Sequence, residues 1–432
     1  ERLATDQEVL GSNPSRRKLM KKILNINKIV YLILLSLIAK IFAYQIYADN
    51  TLDHEWAFII HNYEISGIMG FNVLTKDQIV IPKFAETGET VLPNIFMPPL
   101  YVYFIILIKY ALSSFFNLAS SIIVIQIFLS LISIIIFNKI LSEITSNKKI
   151  IFILTVIFAF FPLNIYAVTQ ISSITLQIFL TLLFFYYLML TLKNNNISNL
   201  FLLSFFSGFL ILIRGEFFLF YLFTIFYFFI FHKKKFRFVF ISVIITLITI
   251  SPYLTRNYYY FETFTLTKSF GYNLLKGNNP LAKVEGNIEI SENIMRNKNK
   301  EISIDNNYEI KLDNLYREKA ISFIKEDPLK YLELYILKIF AFIFIDFNST
   351  YPNYYNILHI IPKVFISILS LIGAILVINK KGVLQYLSAY YFLNILLFSV
   401  FFILPRYSLI LLPIQLMLSV KALEYLKLKF LN

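Results

Sequence analysis

"SPYLTRNYYYFETFTLTKSFGYNLLKGNNP", residues 251–280, follows directly on an apolar run and then packs Gly, Asn, Arg and Tyr into a helix exit. Such a change, from hydrocarbon-like sequence to a dense polar and aromatic mixture, marks the point where a helix leaves a bilayer. Apolar stretches of about 17–22 residues, the length that crosses a bilayer core as a helix, recur on both sides of it. They fall at 29–47, 97–115, 119–139, 149–168, 171–192, 198–213, 215–232 and 236–254, then at 331–347, 356–378, 384–404 and 406–427. Lipid offers no partner for exposed backbone groups, so these runs are expected to be helices.

Composition agrees. The chain is 58% hydrophobic and 18% aromatic with only 15% charged residues, against about 25% charged in soluble domains. An all-α polytopic membrane protein is the expected fold class. The net charge of +14 implies no nucleic-acid partner, because the basic residues cluster in short loops that meet anionic lipid head groups. With no cysteine in the chain, disulfides and thiolate metal sites are excluded.

Orientation follows from the same basic loops. The N-terminal end and the connections at 138–149, 192–196, 231–238, 379–382 and 427–430 are Lys/Arg-rich and are expected on the cytoplasmic side. Segments 48–96 and 255–330 then lie outside. Parity is kept only if 97–115 and 331–347 are juxtamembrane or re-entrant, leaving about ten crossings among 10–12 membrane helices. Residues 1–28 read as a polar N-terminal extension, with Met20 resembling a natural start and the first helix uncleaved. Residues 29–254 form an N-terminal transmembrane catalytic module, 255–330 a large external loop, and 331–432 the C-terminal helices.

The first external segment opens with Asp53, His54 and Glu55, two carboxylates and an imidazole at a membrane-helix mouth. Position alone makes Asp53 an interfacial cap as readily as a base. Four histidines without a tight His/Asp/Glu cluster do not form a protein-built metal site. A divalent ion held by a substrate phosphate and one carboxylate stays compatible with the sequence.

Six motifs in one order then point to a family. The 251–280 segment resembles P-W-x-x-R-N-Y…G-x-N-L-x-x-G-N-N-P of integral-membrane glycosyltransferases of the GT-C fold, the bacterial relatives of protein O-mannosyltransferases and lipid A aminoarabinose transferases. "LDHEWAFIIHNYEISGIMGF" (52–71) resembles their first loop, "MPPLYVYFIILIKYAL" (97–112) their Pro-Pro-Leu-Tyr helix and "GFLILIRGEFFLF" (208–220) their Arg-containing turn. "EDPLKYLELYILKIF" (326–340) resembles the helix leaving the large loop, and "LPRYSLILLPIQLML" (404–418) the late Arg-Tyr segment. The resemblance spans about residues 28–427 and implies a GT-C type helical bundle with a smaller and a larger external loop.

It also implies a chemistry: transfer of a sugar from a polyprenyl-phosphate donor to a glycolipid, glycan or protein acceptor on the non-cytoplasmic face of a bacterial inner membrane. Asp53 would be the general base and Glu55 its supporting carboxylate. His54, Arg214, Arg256, Lys276 and Arg406 would contact substrate, the cations taking the phosphate. Where the family carries a second acid after its third crossing, this chain reads "VTQISSITLQIFL" (168–180), with Gln170 and Ser172 as hydrogen-bonding side chains and no carboxylate. A lipid-linked sugar transporter or flippase is the competing class, but its charges are expected near the bilayer midplane and its halves to repeat. A catalytically silent scaffold of the same fold is the other competitor.

Overall fold

The computed structural model describes residues 14–49, 51–52, 55–76, 79–112, 117–231, 235–298, 302–351 and 354–430. The chain is an integral membrane protein of helices. Before the first polar segment comes α1 (Pro14–Tyr47), whose apolar span is Lys28–Tyr47. Next are α2 (Glu55–Ser66), α3 (Pro99–Leu112), α4 (Leu118–Ile144), α5 (Lys148–Phe160), α6 (Pro162–Val168), α7 (Ile174–Asn194), α8 (Ile197–Ile213), α9 (Phe217–Phe231) and α10 (Lys235–Phe261). The large polar segment carries α11 (Phe270–Gly277), α12 (Glu289–Lys298) and α13 (Tyr308–Glu326). It is followed by α14 (Pro328–Ile343), α15 (Ile357–Val377), α16 (Val383–Ser399) and α17 (Pro405–Phe430).

Six of these are long and apolar enough to cross a membrane, or seven if the pair α5–α6, bent by 47° at Phe161–Pro162, is one span. The bend has a local cause, since Pro162 starts a new helix at its N1 position and ends the ladder of the previous one. Helices α3, α8, α9 and α16 are apolar but shorter. Asparagine side chains start several helices: Asn117, Asn147, Asn196 and Asn356 each accept a hydrogen bond from a first-turn N–H.

Contacts between connections sort the helix ends into two sets. At one end Lys193 pairs with Glu143 at 2.8 Å, Thr145 bonds Glu424, and the Tyr227 hydroxyl donates to Gly382 O at 2.8 Å. These join the basic connections. At the other end Asp49 meets Ile171, Arg214 meets Glu216 and Tyr407, and Asn278 reaches Val400 O. Helix α9, although only 15 residues long, joins the two sets. Helix α3 does not. It leaves the second end at Phe96, its Lys109 pairs with Glu64 of α2 at 2.5 Å, and α4 starts again beside α1, where Tyr44 bonds Ser120. Helix α14 also starts and ends on that side: Lys363 and Ser367 in the first half of α15 reach Ala341 O and Ile343 O, and the chain then climbs back to Asn356. The expected reversals at 97–115 and 331–347 thus coincide with two helices that return to the end they left.

The first polar segment departs from a purely helical expectation. It carries a three-stranded antiparallel sheet, β1 (Gly70–Lys76), β2 (Ile79–Lys83) and β3 (Leu92–Pro93), in the order β2-β1-β3. Asn72 lies opposite Lys83 and Gly70 opposite Pro93. The run "FNVLTKDQIVIPKF" holds β-branched residues on both sides of a polar pair, a hairpin signal that the dominant helical pattern obscures.

Candidate functional site

Two polar assemblies stand at the end opposite the basic connections. The first is a joint. Arg256, near the C-terminal end of α10, donates to Asn94 O at 2.6 Å, Met69 O at 2.8 Å and the Asn257 side chain at 2.8 Å. Its guanidinium also lies 5.0–5.6 Å from the ring centroids of Tyr253, Tyr260 and Phe261. Asn257 in turn donates to Thr265 O and Leu266 O. From α13, Glu309 accepts from the backbone N–H groups of Ile95 (2.6 Å) and Phe96 (2.9 Å) and from the Asn94 amide. Burial raises the Glu309 carboxyl to about 7 against those hydrogen bonds and nearby Arg256, which favour the charged form. Together Arg256 and Glu309 hold segment 94–96 between the two large polar segments.

The second assembly is cationic. Two guanidinium groups lie near the Tyr407 ring, Arg214 at 5.6 Å and Arg406 at 5.8 Å from its centroid. Arg214, the residue that ends α8, also pairs with Glu216 at 3.3 Å. Lys276, on the last turn of α11, lies 4.4 Å over Phe402. Burial lowers the Lys276 ammonium pKa, and Arg406 lowers it further. Lys276 is held in place by its neighbours. Gly277 packs so closely on Phe401 O that a Cβ there would stand 1.9 Å away, and Asn287 N–H donates to Lys276 O at 2.8 Å. Gly286, at φ +78°, lies against the Lys276 side chain. The buried Lys338 ammonium of α14 bonds Gly277 O at 2.7 Å and fixes the Gly-Asn-Asn-Pro turn from below.

Lys276 opens onto a cavity of about 460 Å³ that Lys283, Glu285, Thr350, Tyr351 and Leu404 also line. Among the described residues Lys276, Lys283 and Arg406 have no ion-pair partner. The one carboxylate on that wall, Glu285, is turned instead to Ser349 and Thr350.

Of the residues singled out in the sequence, Arg214, Lys276 and Arg406 come together around Tyr407 and Phe402, while Arg256 belongs to the joint. Asp53 and His54 lie outside the described residues; Glu55 opens α2, with its side chain outside them too. Sequence reading missed Asp49, just after α1. Its carboxylate accepts from Ile171 N–H at 2.7 Å and its own N–H donates to Thr169 O, so it occupies the 168–180 turn that lacks an acid of its own. Gln170 donates to Tyr47 O, and Gln126 donates to Val168 O and Gln170 O while accepting from Tyr101 of α3. Ser172 Oγ is buried in that turn without a partner among the described residues. Position after the first apolar run was the only signal for Asp49. Comparison with protein-family models finds no match for this chain, and comparison with curated proteins finds none either.

Proposed function

We propose that this membrane protein is a glycosyltransferase that moves a sugar from a polyprenyl-phosphate donor to an acceptor on the non-cytoplasmic face. The observation that carries the reading is the cavity lined by Lys276 and Lys283, with Arg406 close to Lys276, three cations that have no ion-pair partner among the described residues, at one end of an apolar bundle. Lys276 is half-buried while Lys283 and Arg406 are exposed, so the three make an accessible positive surface that a phosphate can reach and neutralise. A phosphate on a hydrocarbon tail fits both halves of the surroundings.

In this reading an acceptor oxygen attacks the anomeric carbon and the bond from that carbon to the phosphate oxygen breaks. The acceptor proton passes to Asp53, supported by Glu55, and the lipid phosphate leaves with its charge held by Lys276 and Arg406. Arg214, paired with Glu216, lies over the Tyr407 ring and adds to the positive potential there. Arg256 acts by holding the first loop, and His54 contacts the acceptor. The acceptor class is a glycolipid, glycan or protein, and the membrane is a bacterial inner membrane.

Proteoliposomes holding the full chain and a radiolabelled polyprenyl-phosphate sugar test this. Loss of a charge-stabilising group typically costs about 10²–10³ in turnover, so Lys276→Gln with Arg406→Gln should cut label release at least about a hundredfold. Undiminished release from that double variant contradicts the reading. Label that crosses the bilayer intact at a rate Asp53→Asn leaves unchanged assigns the chain to the transporters.

A further inference from the structure

A second cavity, of about 610 Å³, adjoins the first on the other side of the 282–285 segment. It is lined by Val284, Leu334, Leu337 and Phe347 together with the polar residues Lys283, Asn348, Ser349, Tyr355 and the buried Asp346. Leu337 and Phe347 are 49% and 67% exposed. They continue the outward stripe Leu329, Leu332, Ile336 and Phe340 of α14, spaced three or four residues apart as one helix face requires. The outward face of α14 is mostly apolar, with Lys330 and Glu333 exposed in its first two turns, while its inward face buries Lys338. The second cavity thus borders the exposed apolar stripe of α14, and the first is lined by cations.

One hydrogen-bonded cluster joins residues of both linings. Glu285, which lines the cationic cavity, accepts from Ser349 Oγ, from Thr350 N–H at 3.0 Å and from Thr350 Oγ1 at 2.7 Å. Ser349 lines the second cavity and Thr350 the first. Lys283 borders both. Glu285 shares the cavity wall with Lys276 and Lys283 but is turned to Ser349 and Thr350.

We propose that the Glu285–Ser349–Thr350 clasp is a gate between the two cavities, opened by an anionic amphiphile whose tail lies against Leu334, Leu337 and Phe347 and whose head displaces Glu285 beside Lys276 and Lys283. This rests on the lipid-phosphate reading above and adds the route by which that ligand reaches the cations. A head group alone does not need the gate, because the cationic cavity is open on its own side. A tailed ligand that spans both cavities does.

The test is equilibrium binding of three probes to the purified full chain: farnesyl phosphate, farnesol and inorganic phosphate. The variants are Glu285→Gln and the double variant Ser349→Ala with Thr350→Val. Apparent affinity falls by the fraction of molecules already open, so for an open fraction of about a tenth either variant should tighten farnesyl phosphate about tenfold. The double variant keeps the Glu285 charge and should leave inorganic phosphate unchanged. Farnesol, lacking the charge, should bind weakly throughout. Equal tightening of both phosphates in Glu285→Gln, with no gain for farnesyl phosphate in the double variant, would mean that Glu285 acts only as a nearby charge and would overturn the gate. Wild-type affinity for farnesyl phosphate in both variants would overturn it as well. If none of the proteins, wild type included, binds farnesyl phosphate, the lipid-phosphate reading itself fails and the gate fails with it.

Discussion

Glu309 carries a cost that the rest of the joint offsets. An acid whose pKa rises from 4.5 to about 7 on folding binds more protons folded than unfolded between those values. Stability is therefore greatest at and below the lower value and falls as pH rises through 7, by roughly 3 kcal/mol between the limits. Thermal unfolding of the protein in detergent should show its midpoint dropping between pH 5 and pH 8 on these grounds. Glu309→Gln should flatten that slope, though it loses one hydrogen bond to segment 94–96 at every pH. A slope that survives the substitution assigns the titration elsewhere. Gly277 is the second single-residue test: a methyl group 1.9 Å from Phe401 O forces backbone apart, so Gly277→Ala should destabilise by about 1–3 kcal/mol, read as a lower midpoint in the same assay.

At the scale of elements the two large polar segments are held by few side chains, each with several bonds. Arg256 makes three hydrogen bonds with two nitrogens, a fork that lysine cannot reproduce. Arg256→Lys should release segment 94–96 and the sheet behind it, so limited proteolysis between residues 84 and 91 should quicken several-fold while the helices stay protected. Unchanged cleavage would mean that Glu309 alone is enough. The helices themselves were legible from the sequence because each apolar run is a local signal, but only six, or seven with the bent pair, are long and apolar enough to cross, against about ten expected crossings. Arg214, Lys276 and Arg406 were legible because each sits in a short motif at a helix end. The partners were not. Asn94 and Glu309 stand 215 positions apart, Ile171 and Asp49 122, and Thr350 and Glu285 65, and no periodicity links residues at such separations. The β1–β3 sheet was missed for a different reason: three short strands cannot compete with the hydropathy signal of the spans around them.

For the whole molecule, the two sets of helix ends make a topology that can be measured on a chain without native cysteines. Cysteines placed at the exposed positions Ser66 and Ser303 should react with an impermeant thiol reagent in intact cells, and those at Asn194 and Lys381 only after lysis. Labelling of Ser66 without Ser303 would break the assignment of both polar segments to one face. The central claim reaches further, to sugar transfer that depends on a first-loop carboxylate, and one measurement bears on it most directly: mass spectrometry of cell-envelope glycans in a strain lacking the gene, complemented with wild type, Asp53→Asn or Asp49→Asn. A general base typically contributes about 10²–10⁴-fold. A glycan modification should therefore vanish with the gene, return with wild type, and fail to return with Asp53→Asn, although that protein reaches the membrane at normal abundance. Full restoration by Asp53→Asn would contradict the account, and failure of Asp49→Asn alone would move the base to the turn at Ile171.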